Sequence, residues 1–204
     1  MTMNALCTSI LSAVMPIQYR GDPDRRRLYL SFDDGPNPNT PRLLDILERH
    51  GVRATFFVLG KRIADRESIL SAIHAAGHRI GNHSFSHASA RTLSYTALLD
   101  DMDRCAQEIR RILPKWEPGI CRPPYGDLSI GLIRYAVARE QRIVMWSKDA
   151  IDYRAPTTDA IDARVRNVQD GDIILFHDEF PVTHQALEKL IPYWKAKGHE
   201  FAAL

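Results

Sequence analysis

Little in this sequence points to a disulfide scaffold, a zinc ribbon or thiol redox chemistry. It has only three cysteines, Cys7, Cys105 and Cys121, widely spaced and with no CxxC pair. They read as small buried or tolerated side chains in a reducing compartment. An excess of one charge is also missing. Lys and Arg number 27 against 25 Asp and Glu, a net +2 with the basic residues spread along the chain, which excludes a nucleic-acid footprint. Long hydrophobic runs are absent as well. The mostly apolar stretch Ala5–Ile17 is too short to span a bilayer. No Lys or Arg precedes it, the first being Arg20, whereas a secretory signal wants a basic start. It reads as an N-terminal helix or extension and the chain as cytoplasmic; secreted or periplasmic would follow only if residues 1–20 act as a signal. There is no internal repeat.

What is present is an ordinary globular composition, 45% hydrophobic and 25% charged over 204 residues. That length buries one good core and is short for two domains. The expectation is an N-terminal extension over 1–27 and one catalytic domain over 28–204. From Leu28 the pattern alternates. Apolar runs at 28–32, 54–59, 79–81, 119–121, 142–146 and 172–176, with a closing one at 199–203, read as strands. Helical spacing between them, such as Leu43, Leu44, Ile46 and Leu47 after Thr40-Pro41, reads as crossovers with Thr40 as the cap. About seven such units imply a parallel sheet. The chemically interesting residues fall after strands, where parallel α/β folds put their sites, which favours barrel-like closure.

Three of the eight histidines sit beside other potential ligands. His83 and His87 are four apart, a spacing that on a helical turn presents two imidazoles to one metal; two surface histidines near a cap is the plainer reading. Asp33-Asp34, followed by Gly35-Pro36, reads equally as turn chemistry. Yet adjacent carboxylates repel, and a cation offsets that. One carboxylate with two histidines leaves metal positions open, and the second carboxylate is then free to act as a base. His177 ends the apolar run Ile173–Phe176, either as a polar strand end or as a general acid. Arg122 is a permanent cation able to grip a carboxylate bidentately. Trp146, Asp149, Asp152 and Tyr153 add two acids and two rings suited to sugar faces or a small acyl pocket.

The segments Ser31-Phe32-Asp33-Asp34-Gly35, His83-Ser-Phe-Ser-His87, Arg122-Pro-Pro-Tyr125, Asp149-Ala-Ile-Asp152-Tyr153 and Leu175-Phe176-His177-Asp178 occur in that order. Together they resemble the polysaccharide deacetylases of carbohydrate esterase family 4, with the nodulation-type chitooligosaccharide deacetylase core, from about Leu28 to the chain's end. The resemblance implies an α/β fold, a distorted (β/α) barrel. It implies a divalent metal, zinc before cobalt, nickel or manganese, held by Asp34, His83 and His87. It implies Asp33 as catalytic base oriented by Arg122, Tyr125 as donor of an oxyanion-hole N–H, and His177 as general acid held by Asp152. Tyr153 and Leu175 match positions that line the acetyl pocket, and Trp146 joins them as a substrate-contacting ring.

Two departures from the family pattern stand out: Tyr153 where tryptophan is frequent, and Ser31 where threonine leads the first motif. The implied activity is hydrolytic removal of acetyl groups from N-acetylated amino sugars in chitooligosaccharide, peptidoglycan or exopolysaccharide. Alternatives are O-deacetylation of xylan-type glycans, deacylation of a lipid-linked sugar, and a glycan-binding barrel without catalysis. The expected partner is the N-acetylated glycan itself. Oligomeric state and the role of Asp149 are not legible.

Overall fold

A computed structural model describes residues 16–204. The strands are β1 (Ile17–Gln18), β2 (Arg27–Gly35), β3 (Thr55–Val58), β4 (Arg79–Asn82), β5 (Ile120–Cys121), β6 (Arg142–Val144), β7 (Lys148–Asp149), β8 (Ile173–His177) and β9 (Glu200–Phe201). The helices are α1 (Thr40–Arg49), α2 (Glu67–Ala75), α3 (Tyr95–Ile112), α4 (Ile130–Ala138), α5 (Thr158–Val165) and α6 (Pro181–Ala196). All strand pairings are parallel, in the order β1-β6-β5-β4-β3-β2-β8-β7, and β9 pairs separately with the start of β2. The result is a distorted (β/α) barrel that β1 and β7 leave unpaired with each other. Eight strands lie on the main path instead of about seven. The additional ones are two-residue edges whose apolar content is too small to read as periodicity. One of them, Ile17–Gln18, comes from the stretch assigned to an extension; residues 1–15 of that stretch, with Cys7, lie outside the described residues.

The alternation of side chains along strands separates two cores. Leu28, Leu30 and Phe32 of β2, Phe56 and Val58 of β3, and Ile174 and Phe176 of β8 pack outward against helices. Tyr29, Phe57, Val144 and Ile173 form the barrel's interior cluster. Gly81 on β4 makes room for it, since a Cβ there would lie 2.5 Å from the Phe57 ring. The inward series of β2 is Tyr29, Ser31, Asp33, and that of β8 is Ile173, Leu175, His177. Register pairs Tyr29 with Ile173, Ser31 with Leu175 and Asp33 with His177. The two polar ends of buried strands therefore meet at the same mouth.

One expected cap is corrected. Thr40 is the first residue of α1 and its side chain does not cap it; Asn39 is the N-cap. The Thr40 hydroxyl accepts from Asn37 N–H at 2.8 Å and donates to Asp178. It is recruited to the loops instead of to its own helix.

Candidate active site

Asp33 and Asp34 are consecutive, so regular β geometry would send them to opposite faces. The register against β3 shifts between Asp33 and Gly35, and Asp34 takes a left-handed backbone with φ 70°. This bulge re-aims Asp34 so that both carboxylates line one cleft. The same device recurs around the mouth. Of six non-glycine residues at positive φ among those described, five are Asp34, Ser84, His87, Tyr125 and Ile151, all on the site segments. Such conformations persist only where the surroundings enforce them, and they gather at functional sites.

The histidine pair is not on a helical turn, as the four-residue spacing suggested. His83–His87 is an irregular loop after β4 with Ser84 (φ 73°) and His87 (φ 66°) left-handed. It is pinned from beneath. Asn82 Oδ1 accepts from Ser84 N–H at 2.8 Å, and Asp101 on α3 accepts from Phe85 and Ser86 N–H through its carbonyl and carboxylate, both at 3.1 Å. Each ring has its Nδ1 occupied: His83 with the Arg122 carbonyl at 2.8 Å, His87 with the Tyr125 hydroxyl at 3.1 Å. That leaves both Nε2 atoms facing Asp34 Oδ1, at 3.5 and 3.1 Å. Asp34 Oδ1 is buried and has no hydrogen-bond partner. Burial raises the Asp34 pKa, but His83 and His87 outweigh it and hold the carboxyl far below its usual range. One ligand atom from each residue falls within 4.8 Å of the others. A buried, unpartnered carboxylate oxygen facing two imidazoles oriented by their other nitrogens fits a divalent cation.

Asp33 is almost wholly buried beside this set, with Oδ2 3.7 Å from His83 Nε2. Its other oxygen accepts one bond from Arg122 Nη1 at 2.7 Å. The bidentate grip expected of Arg122 does not occur, because the guanidinium is shared out. Nη1 also donates to Ser31 Oγ, Nε to the Val144 carbonyl and Nη2 to the Met145 carbonyl, each at 2.9 Å. Arg122 is fully buried, 4.1 Å over the Phe57 ring. Burial lowers its pKa and the Asp33 charge opposes this. Ser31, read from sequence as a conservative change, is one of the four groups that anchor this cation.

His177 faces Asp33 across the strands, and its Nδ1 donates to Asp152 Oδ1 at 2.7 Å. Asp152 is buried behind it and accepts three more donors: His177 N–H at 2.8 Å, Thr183 Oγ at 2.6 Å and Tyr153 N–H at 3.1 Å. Burial alone would lower the His177 pKa; Asp152, with Asp33 and Asp34, outweighs it and raises the ring to about 9. Thr183 lies on α6, far from any motif, and nothing in the sequence marks it. Asp149 gains a role: its Oδ1 accepts from Ile151 N–H at 2.8 Å and shapes the turn at left-handed Ile151. Asp178, beside His177, points away from the cleft toward Thr40 and Gly35, and burial pushes its carboxyl up to about 7.

These groups line a cleft of about 460 Å³ that also includes Tyr125, Trp146, Tyr153 and Leu175, as the sequence suggested, and Arg154, Glu179 and Phe180, which it did not. Asp33 and His177 lie in its wall, whereas Arg122 and Asp152 stand behind them. Tyr125 is 67% exposed, with its ring 4.6 Å from that of His87. Among the described residues no helix is long and apolar enough to cross a membrane.

The sequence profile of the polysaccharide deacetylase family matches residues 20–144. A peptidoglycan-N-acetylglucosamine deacetylase of Bacillus cereus is 34% identical over 193 residues, 91% of this chain and 70% of that protein. The crystal structure of the peptidoglycan N-acetylglucosamine deacetylase Bc1960 superposes with a TM-score of 0.89 at 30% identity, covering 94% of this chain and 92% of the other. BA3943, a CE4-family pseudoenzyme from Bacillus anthracis, superposes with a TM-score of 0.86 at 28% identity, covering 92% and 67%. A fold shared with a pseudoenzyme leaves the question of catalysis to the side chains in the cleft.

Proposed function

Because this chain belongs to the polysaccharide deacetylase family, we propose that its cleft hydrolyses the acetamide of N-acetylated amino sugars, with N-acetylglucosamine units of a glycan chain as the substrate class. The observation that carries the reading is the convergence of Asp34, His83 and His87 with Asp33 on one side and His177 on the other. A binding barrel has no use for an acid and a base flanking a three-residue ligand set. Asp34, His83 and His87 would hold the divalent cation, zinc by preference for two imidazoles and a carboxylate. When bound there, it supplies Lewis acidity that makes water a better nucleophile at neutral pH and polarises a carbonyl.

The protein's own groups do the rest. Asp33, aimed by its bond from Arg122, takes a proton as water adds to the acetyl carbonyl carbon. The Tyr125 N–H donates to the oxygen on which charge develops. His177, protonated and held by Asp152, gives its proton to the sugar nitrogen as the C–N bond breaks, releasing acetate and a free amine. Tyr153, Trp146 and Leu175 wall the acetyl group and exclude bulk water. Acetate released from N-acetylglucosamine oligomers should vanish with a chelator and return with added zinc. Release untouched by chelation would contradict the ligand assignment, and no release under any metal would leave a different acetylated substrate or the binding-barrel reading.

The acid assignment has a pH signature. Its proton is lost as pH rises through the His177 pKa, so turnover falls on the alkaline side. Asp152→Asn removes the charge that raises this pKa, and the alkaline limb should move to lower pH. In the metal-free protein, NMR titration of His177 should place it near 9 before the substitution and clearly lower after it. A limb and a titration that both stay in place would remove Asp152 from the mechanism.

A further inference from the structure

The turn after β3, Leu59-Gly60-Lys61-Arg62, carries none of the motif residues, yet it ties the two ligand-bearing loops together. Leu59 N–H donates to the Gly35 carbonyl at 2.8 Å, beside the carboxylate pair. Gly60 N–H donates to the Ser84 carbonyl at 3.0 Å and Lys61 N–H to that of Phe85 at 3.1 Å, both within the histidine loop. From the end of this turn Arg62 reaches back. Its Nη1 donates to the Asp34 carbonyl at 2.7 Å and to Glu179 Oε2 at 3.0 Å. Glu179 is itself fixed: Asn37 Nδ2 donates to the same oxygen at 3.3 Å, and Asn39 Nδ2 to the Glu179 carbonyl at 2.8 Å. Arg62 and Glu179 are both roughly three-quarters buried, so the pair is shielded more than a surface bridge.

Asp34 is the residue in most need of such support. Its left-handed backbone costs on the order of what a single side-chain bond can offset, and its own side chain holds no other protein hydrogen bond at Oδ1. Rotation of the Asp34 peptide would carry the carboxylate away from His83 and His87. We propose that Arg62, held in place by Glu179, is a positioning residue for the metal site: it clamps the Asp34 carbonyl and fixes the backbone that aims the Asp34 carboxylate at the two imidazoles. This rests on the reading of Asp34 as a metal ligand. Arg62 does not line the cleft, so its effect reaches the reaction only through Asp34.

The test is zinc affinity of the full chain, measured by competition with a chromophoric chelator, alongside the melting temperature of the metal-free protein. Arg62→Met should weaken zinc binding by about ten-fold or more, the range seen when outer-shell partners of metal ligands are removed. Arg62→Lys, which keeps a charge and a donor but loses the fork, should recover part of that loss. Arg49→Met, which breaks an exposed ion pair between the C-terminal end of α1 and Glu188 of α6, should bind zinc as the parent does. A metal-free melting temperature near the parent's, together with weakened zinc binding, separates positioning from a general loss of structure. Equal zinc affinity in parent and Arg62→Met overturns the clamp alone; a parent chain that binds no zinc overturns the ligand assignment with it. Should Arg62→Met fail to fold, Glu179→Gln serves in its place, with weakened zinc binding expected and unchanged binding overturning the role.

Discussion

Asp33→Asn should lower the rate of acetate release by about 10²- to 10⁴-fold, the usual contribution of a positioned general base, or about 3–5 kcal/mol on the barrier. Zinc affinity should change little, and the stability cost, though real because Arg122 loses its counter-charge, should be smaller than for loss of the whole side chain. The amide keeps an oxygen to accept from Arg122 Nη1 and a shape close to that of the carboxylate. Asparagine cannot take a proton from water, so the loss should lie in kcat and leave KM nearly unchanged. Asp33→Ala would be a poorer test. It leaves the Arg122 guanidinium charged and unpaired where no water reaches it, and mixes a folding defect with a chemical one. A rate for Asp33→Asn within a few-fold of the parent's would remove Asp33 as the base.

The second large effect is on folding. Arg122→Met should destabilise the protein by about 3–5 kcal/mol, because breaking a buried ion pair strands the remaining charge. Here the damage extends beyond Asp33: the Ser31 hydroxyl and the Val144 and Met145 carbonyls lose their donor in the barrel interior. For a chain of this size that corresponds to a fall of roughly 10 °C or more in melting temperature. Arg122→Lys should recover little, because a single ammonium cannot reach acceptors spread around a planar fork. Chemical denaturation followed by circular dichroism reads the outcome. A loss below about 1 kcal/mol for Arg122→Met would mean the four acceptors find other donors, and Arg122 would then serve catalysis alone.

These two residues also show where sequence reasoning reached and where it stopped. Asp33 stood out as one of a carboxylate pair that turn chemistry explains equally, and its distinction from Asp34 came from the family resemblance. Arg122 was legible as a cation near that charge, but its division among four acceptors depends on carbonyls from β6 and its extension, more than twenty residues away. Ser31 looked neutral for the same reason. The helical reading of His83–His87 failed because a four-residue spacing is shared by helices and by loops with left-handed turns, and only the latter carry Ser84 and His87 at positive φ. The two-residue edge strands were missed because two residues have no period. Thr183, Arg62 and Glu179 were invisible because their partners are brought by the fold and not by adjacency. The strands and helices from Leu28 onward stood out well, their inward and outward faces being set by alternation alone.

The pairing of Asp33 with His177 across β2 and β8 has an evolutionary consequence. Adjacent strands are held about 4.8 Å apart by the hydrogen-bond ladder, so the spacing of the backbones that carry Asp33 and His177 is a lattice constant of the sheet. Loops at the mouth can lengthen, shorten or change charge without altering it. A lineage can therefore exchange one glycan for another by redrawing its loops while the chemistry remains insulated. Slippage within the ladder is the change it cannot tolerate: a single residue inserted into β8 would turn His177 to the helix side and Phe176 into the mouth.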